Sequence, residues 1–173
     1  MKRESGFTRS AGESEGIWTV RPLSLKVYPD AILRELCAPV QRFDGWLLDV
    51  ADEMFTLMRR HDGIGLAAPQ AGINQRFFVA EIDGRRLCLV NPTIMSRAGR
   101  ENMNEGCLSL PSLFLDIKRN ARIEVSSYGL LGKKRQDVFQ GWWARVIQHE
   151  IDHLNGVMIC DYADLRTEKT GGS

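Results

Sequence analysis

Two histidines in the stretch VIQHEIDHLNG, residues 146–156, stand four positions apart, and a glutamate follows the first of them. On an α-helix the positions i and i+4 lie one above the other on the same face, so His149 and His153 could bind a single metal ion. Glu150 would lie close enough to reach a water on that ion without being a ligand itself. This HExxH arrangement is typical of metal-assisted hydrolases.

The familiar metalloprotease patterns require a third ligand that is missing from its usual place here. One class extends the motif to HExxHxxGxxH, and Gly156 fits this pattern, but Ile159 stands at the last position. Another class uses a downstream glutamate, and the only glutamate after His153 is Glu168, among the polar C-terminal residues. Polar residues at these spacings can also form an ordinary solvated helix face, so the motif alone leaves the chemistry open.

Cys107 is the remaining soft donor in an unusual setting, within NEGCLSLPS at residues 104–112. One cysteine with two histidines is a known catalytic ligand set that leaves a fourth position for water. The other cysteines form no CxxC pair, and we expect reduced thiols that pack as small apolar side chains. These are Cys37, Cys88 and Cys160.

The stretch GIGLAAPQAG, residues 63–72, combines small residues with one amide side chain. Glycines and alanines allow close approach of the backbone, and the amide of Gln70 can donate hydrogen bonds. The same composition would also suit a loop whose small residues serve packing alone.

Together these three stretches resemble the peptide deformylases. That family is marked by a GxGLAAxQ loop, an EGCLS segment and a QHExDHLxG helix, which are matched in the same order by residues 63–70, 105–109 and 148–156. The stretch VYPDAILRELCAPV, residues 27–40, also resembles the opening segment of the family. The similarity therefore extends over most of the chain.

The resemblance implies an enzyme that hydrolyses the N-formyl group of the initiator methionine on nascent polypeptides and releases formate. It implies that Cys107, His149 and His153 bind one divalent metal ion, Fe²⁺ in the cell, with Zn²⁺ or Ni²⁺ able to take its place. Glu150 would transfer protons between the water and the leaving amine. N-formylmethionyl peptides would be the substrates, met in a transient encounter near the ribosome exit region.

The same resemblance assigns roles around the formyl group. The amide of Gln70 and the backbone N–H of Leu108 would stabilise the oxyanion, and Gly65 would bring its backbone against the substrate. Four residues are predicted to line the pocket for the methionine side chain. These are Ile64, Trp142, Arg145 and Val146. Trp142 stands where many deformylases carry leucine. Glu105 and Asp152 could each orient a histidine ring or form an ordinary ion pair.

Apolar periodicity predicts the elements that must hold these side chains. Residues 44–63 have apolar side chains at helical spacing, with Asp44 as a candidate N-cap, and residues 141–156 form a second helix with both histidines. Strands are predicted at 76–82, 86–92 and 122–129. We expect an α+β fold in which mostly antiparallel strands surround a central C-terminal helix carrying HExxH, together with an N-terminal amphipathic helix.

The composition fits one globular domain of 173 residues with 43% hydrophobic content. We expect a flexible tail at 1–16, a single catalytic domain at 17–165 and a second flexible tail at 166–173.

With 23 Lys and Arg against 22 Asp and Glu, the net charge of +1 gives no general argument for nucleic acid or an anionic membrane. No apolar run has the length of a membrane span and no signal core is visible, so we expect a cytoplasmic protein. The Arg and Ser residues of the first tail leave organellar targeting open, although its glutamates argue against it.

Two other interpretations stay open at this level. A related metal-dependent amidase or peptidase could act on another acyl group. A redox or structural metal protein could hold the ion without turnover, but a structural site is normally closed by four protein ligands, and the motifs offer no further Cys or His nearby.

Overall fold

An antiparallel sheet separates two α-helices in the computed structural model, which describes residues 22–163. The helices are α1 (Gly45–Arg60) and α2 (Gly141–Leu154). The strands are β1 (Gly65–Ala67), β2 (Phe77–Ile82), β3 (Arg85–Ala98), β4 (Glu101–Cys107), β5 (Leu110–Arg119), β6 (Arg122–Tyr128) and β7 (Lys134–Gln140). The predicted α+β class with antiparallel sheets and a C-terminal helix is confirmed.

The strands form two sheets. The larger has five strands in the order β1-β2-β3-β6-β7, and the smaller is the β4-β5 hairpin. Within the hairpin the register changes after the Gly106–Phe114 pair, so that Cys107 pairs with Leu110. This irregularity lies at the cysteine predicted to be a ligand, where a bulge can re-aim a side chain.

Strand β2 shows how the larger sheet divides the core. Phe77 and Val79 pack in a cluster with the buried side chains of α1, whereas Phe78 and Ala80 pack in a cluster with those of α2. Successive residues of a strand point to opposite faces of its sheet, so the two helices lie on opposite sides. This explains why β2 begins with four consecutive buried apolar residues instead of an alternating pattern.

The predicted N-cap residue of α1 is confirmed in position. Asp44 occupies the N-cap position, but its side chain makes no capping hydrogen bond. The carboxylate instead forms an ion pair with Arg42 at 2.8 Å.

Three predicted strands are present as β2, β3 and β6, and β3 runs past Pro92 to Ala98. The other strands were not predicted, and their sequences explain why. In β7 only Phe139 is buried, and in β4 only Glu105 is buried, so neither strand has the alternating apolar pattern of a half-buried strand. The predicted tails at 1–16 and 166–173 lie outside the described residues, and the predicted domain limits stay a prediction.

The C-terminal end of α2 is held by chain segments that are distant in sequence. Arg76 donates to the carbonyl of Leu154 at 3.3 Å and to Asn155 Oδ1 at 2.8 Å, and the backbone N–H of Cys37 donates to the same carbonyl at 3.0 Å. Gly156 follows with φ +73°, and a Cβ there would lie 2.5 Å from the carbonyl oxygen of Arg34. These contacts fix the position of the helix that carries the histidines. Among the described residues, neither helix has the length and apolar character needed to cross a membrane.

Candidate metal centre and active site

Three soft donor atoms meet where the end of β4 faces the middle of α2. Cys107 Sγ lies 3.3 Å from His153 Nε2, which lies 3.2 Å from His149 Nε2. All three donor atoms are within 4.8 Å of one another. The structure thus brings together the sulfur and the two imidazole nitrogens that the sequence singled out, in a set suited to Fe²⁺, Zn²⁺ or Ni²⁺.

The electrostatics of the two rings fit a cation between these donors. Burial and the neighbouring His149 lower the pKa of His153, so its ring is neutral, as a metal ligand must be. Burial also lowers the pKa of His149, but its hydrogen bonds with Cys107 and Glu105 outweigh this effect and raise that pKa to about 10. The site therefore favours positive charge beside Cys107 and Glu105, and a divalent ion supplies such charge.

Glu105 fixes the orientation of the His149 ring. Its Oε2 atom lies 3.1 Å from His149 Nδ1, and Arg119 donates to both carboxylate oxygens at 2.6 and 2.9 Å. Burial raises the pKa of Glu105, but the hydrogen bonds from His149 and Arg119 outweigh it and lower the pKa to about 2. Because an ionised carboxylate only accepts, the Nδ1 atom of His149 carries a proton, and a bound metal ion would take the place of the proton on Nε2.

Glu150 is a buried carboxyl group with an uncommitted oxygen. The residue is 3% exposed, and among the described residues its Oε2 atom has no hydrogen-bond partner. Burial raises the pKa of Glu150 to about 7, although His149 and Arg119 act in the opposite direction. A carboxyl group that titrates near neutrality can both accept and deliver a proton.

Gly65 lies directly against this carboxyl group. A Cβ on Gly65 would overlap with Glu150 Oε1 and would lie 3.0 Å from Val146 Cγ1. The sequence suggested that Gly65 brings its backbone against the substrate. The structure adds a second reason for glycine, which is space for the Glu150 side chain.

Hydrogen bonds fix the side-chain amide of Gln70 at the wall of the site. Its Oε1 accepts from the backbone N–H of Ala67 at 2.9 Å. Its Nε2 donates to Ser109 Oγ at 3.1 Å and lies 3.8 Å from Cys107 Sγ. Leu108 follows Cys107 in the turn between β4 and β5. Gln70 thus lies close to the candidate metal ligand in space, and Leu108 is next to it in sequence.

These groups open into a cavity of about 740 Å³. Its walls include all four of the predicted pocket residues, namely Ile64, Trp142, Arg145 and Val146. Arg145 is 4% exposed, and its guanidinium is engaged by Glu105 and by the carbonyls of Ile117 and Glu101. Arg145 lines the cavity, but its positive charge is paired with the carboxylate of Glu105, which orients His149.

Comparisons with known proteins agree with this geometry. Residues 22–169 match the family described as Polypeptide deformylase. The chain belongs to the peptide deformylase family. The members of this family are metal-dependent hydrolases that remove the N-formyl group from nascent polypeptides.

Individual deformylases resemble the chain over most of their length. The peptide deformylase of Thermotoga petrophila is 43% identical over 138 residues, which cover 79% of this chain and 84% of that protein. The crystal structure of peptide deformylase from Thermotoga maritima matches with a TM-score of 0.80 at 40% identity, covering 82% of this chain and 97% of the other. A peptide deformylase from Synechococcus elongatus, solved in complex with actinonin, matches with a TM-score of 0.79 at 41% identity and covers 83% of this chain and 82% of its own.

Several residues of this deformylase site were not found from the sequence. Leu25 and Val27 line the cavity from the segment that precedes the short 3₁₀ helix Ala31–Arg34. Arg119, at the end of β5, is 5% exposed and links Glu105 to Asp152 at 2.8 Å. Asp152 contacts this arginine and Tyr162, so the ion-pair alternative describes it better than ring orientation. No local sequence signal marks Arg119, because its burial depends on ion pairs with Glu105 and Asp152 that are formed only in the folded protein.

Proposed function

We propose that Cys107, His149 and His153 hold one divalent metal ion, Fe²⁺ in the cell, and that the residues around it hydrolyse the formyl group of N-formylmethionyl peptides. The observation that carries this assignment is the meeting of three donor atoms within 4.8 Å beside a cavity that also contains the Glu150 carboxyl group. When bound, the ion polarises the formyl oxygen and lowers the pKa of water toward neutrality. Zn²⁺ and Ni²⁺ suit the same donors.

Glu150 moves the proton in this reaction. Its free Oε2 atom takes a proton from the attacking water, and the same carboxyl group then delivers the proton to the amine as the C–N bond breaks. The products are formate and the free amino group of methionine. A pKa of about 7 for Glu150 matches this double role, since the group must be ionised before attack and protonated before the amine leaves.

Gln70 and Leu108 stabilise the negative charge that develops on the formyl oxygen. The Nε2 atom of Gln70 lies 3.8 Å from Cys107 Sγ, and the backbone N–H of Leu108 belongs to the residue that follows Cys107. One such donor is worth about 3 kcal/mol of activation free energy. Hydrogen bonds with Ala67 and Ser109 hold the Gln70 amide in place before the substrate arrives, which keeps the reorganisation cost low.

The cavity provides room for the methionine side chain. Ile64, Val146 and Trp142 give it apolar walls, and Gly65 leaves its backbone accessible beside Glu150. Val146 lies one helical turn before Glu150, and Trp142 lies two turns before Glu150. The pocket therefore follows α2 away from the catalytic carboxyl group.

We place this reaction in the cytoplasm, where formylated nascent chains emerge, with a transient encounter near the ribosome exit region. Neither a membrane nor a specific nucleic-acid sequence has a part in it. The near-zero net charge supports this view because it provides no extended field for either partner.

Formate release tests the proposal against its rivals. Iron-loaded protein is expected to release formate from formyl-Met-Ala-Ser and to leave acetyl-Met-Ala-Ser intact. Equal hydrolysis of both peptides would indicate a less selective amidase. Stoichiometric metal with no hydrolysis of either would indicate a structural or redox site.

A further inference from the structure

Ser109 is a buried hydroxyl group that touches the catalytic machinery without lining the cavity. The residue is 0% exposed, and its Oγ atom lies 3.1 Å from Gln70 Nε2 and 2.7 Å from the carbonyl oxygen of Lys26. Its neighbours Leu108 and Leu110 line the cavity, whereas Ser109 points into the protein. Any effect of Ser109 on the reaction therefore passes through another residue.

The direction of each hydrogen bond follows from the available protons. The carbonyl of Lys26 can only accept, so the single hydroxyl proton of Ser109 is donated to it. The oxygen of Ser109 is then left with lone pairs toward Gln70, which must present an N–H group. On the other side, the backbone N–H of Ala67 can only donate, so it must face the oxygen of the Gln70 amide.

These two contacts allow one orientation of the Gln70 amide. If the amide were flipped, its oxygen would face the lone pairs of Ser109, and its nitrogen would face the N–H of Ala67. Both hydrogen bonds would be lost in a side chain that is 1% exposed, and unsatisfied buried polar groups are costly. The observed orientation keeps Nε2 on the side of Cys107, where a donor is needed.

The backbone supports the same arrangement. The N–H of Lys26 donates to the carbonyl of Gln70 at 2.7 Å, and the N–H of Tyr28 donates to the carbonyl of Ser109 at 2.9 Å. The segment from Lys26 to Tyr28 thus connects the short 3₁₀ helix that contains Gln70, Ala68–Ala71, to the turn that follows Cys107. It fixes the distance between the two loops that supply the oxyanion donors.

We propose that Ser109 is a positioning residue for the reaction, because it fixes the side-chain amide of Gln70 as a donor toward the formyl oxygen. The inference rests on the proposed role of Gln70 as an oxyanion donor. Ser109 serves a contact that strengthens in the transition state, so its loss lowers kcat and leaves KM nearly unchanged.

The experiment compares Ser109→Ala with Ser127→Ala in iron-loaded enzyme, using formyl-Met-Ala-Ser. Ser127 is a matched control because it is 1% exposed, and its hydroxyl has no partner among the described residues. Ser109→Ala is expected to lower kcat by about five- to tenfold, the value of one hydrogen bond, while Ser127→Ala leaves kcat within about twofold. Metal content and melting temperature are measured for every variant, so that a loss of metal or of folding is seen directly. Ser109→Thr keeps the hydroxyl and is expected to retain most of the wild-type kcat.

A double-mutant cycle with Gln70→Ala separates the inference from the proposed function. If Gln70→Ala leaves kcat unchanged, the proposed donor role of Gln70 fails. If Gln70→Ala lowers kcat but Ser109→Ala does not, the positioning role alone is overturned. If Ser109→Ala lowers kcat by the same factor in the wild-type and Gln70→Ala backgrounds, the effect does not pass through Gln70 and the inference is also overturned. The expected result is a small further effect, below about twofold, in the Gln70→Ala background.

A measurement that does not depend on turnover completes the test. In zinc-loaded protein, which is diamagnetic, NMR is expected to show faster solvent exchange of the Gln70 side-chain amide protons in Ser109→Ala than in the wild type. Exchange of the Ala67 amide proton is expected to rise as well, since its acceptor on Gln70 becomes mobile. Unchanged exchange at both positions would overturn the proposal.

Discussion

The Nδ1 atom of His149 lies 3.1 Å from Oε2 of Glu105, a carboxylate that Arg119 also binds through two nitrogens at 2.6 and 2.9 Å. A ring that donates from Nδ1 to a fixed acceptor presents Nε2 in one direction only. Glu105 lies on β4, two residues before Cys107, so the same short segment supplies one candidate ligand and orients another.

Glu105→Gln is therefore expected to weaken metal binding by about 10- to 100-fold, the usual effect of removing such a support. A neutral amide cannot balance Arg119 and Arg145, so the melting temperature is expected to fall as well. Competition with a metal chelator measures the affinity. Glu101→Gln, an exposed acid on the same strand, is the control and is expected to change neither quantity. Unchanged metal affinity in Glu105→Gln would show that the ring of His149 is oriented by other contacts.

Glu150→Gln is expected to keep the metal and lose turnover. The substitution preserves the shape of the side chain and removes the carboxyl group that moves the proton, so kcat should fall by roughly two to four orders of magnitude. Metal content by elemental analysis and kcat by formate release give the two readouts. Near-normal kcat at full metal content would remove Glu150 from the mechanism.

Gly65→Ala tests the close approach of β1 to the catalytic carboxyl group. The new Cβ would collide with Glu150 Oε1 and lie 3.0 Å from Val146 Cγ1, so the carboxyl group must move away from its position. We expect kcat to fall by about 100-fold, because displacement of a reacting group by about 1 Å has effects of this size.

Gly45→Ala is the matched control for that substitution. Apart from its chain neighbours and the adjacent backbone of the helix, no atom lies within 4 Å of a Cβ built on Gly45, the first residue of α1. It is expected to leave kcat unchanged and to raise the free energy of unfolding slightly, by about 0.4–1 kcal/mol, because alanine restricts the unfolded chain. Equal losses of kcat in both variants would show that the effect of Gly65→Ala is general and does not arise at Glu150.

Local patterns are enough to place residues that share one element of secondary structure. His149, Glu150 and His153 share one helix, and their relative positions follow from helical geometry alone. Cys107 and Gln70 were found through motif residues that stand close together in sequence. Arg119 and Ser109 were not found as partners of the site, because their roles depend on contacts with Glu105 and Gln70 across 14 and 39 positions of the chain.

The hairpin of β4 and β5 shows the same limit at the level of the fold. The residues of β5 that face the interior include Ile117 and Arg119, and an arginine at such a position breaks the apolar alternation that predicts a strand. Arg119 is buried because its charge is balanced by Glu105 and Asp152. A buried ion-pair network has replaced part of the apolar pattern, so a pattern-based prediction fails at this strand.

We expect Trp142 to influence which substrate side chain the pocket prefers. It could have been part of a core helix turn, but it is 52% exposed and lines the cavity, whereas its neighbour Trp143 packs against the cluster that contains Phe139. Trp142 precedes His149 by two helical turns, about 10 Å along the axis, which suits the rim of a methionine pocket. Its bulk would narrow the entrance and favour an unbranched side chain.

Trp142→Leu is expected to change the ratio of kcat/KM for formyl-Met and formyl-Phe peptides by up to about tenfold in favour of phenylalanine, since such pocket contacts are worth about 1–3 kcal/mol. The melting temperature should change little, because half of the side chain is already in water. Trp143→Leu is the matched control and is expected to lower the melting temperature while leaving the ratio unchanged, so the opposite pattern in the two variants would place the pocket rim elsewhere.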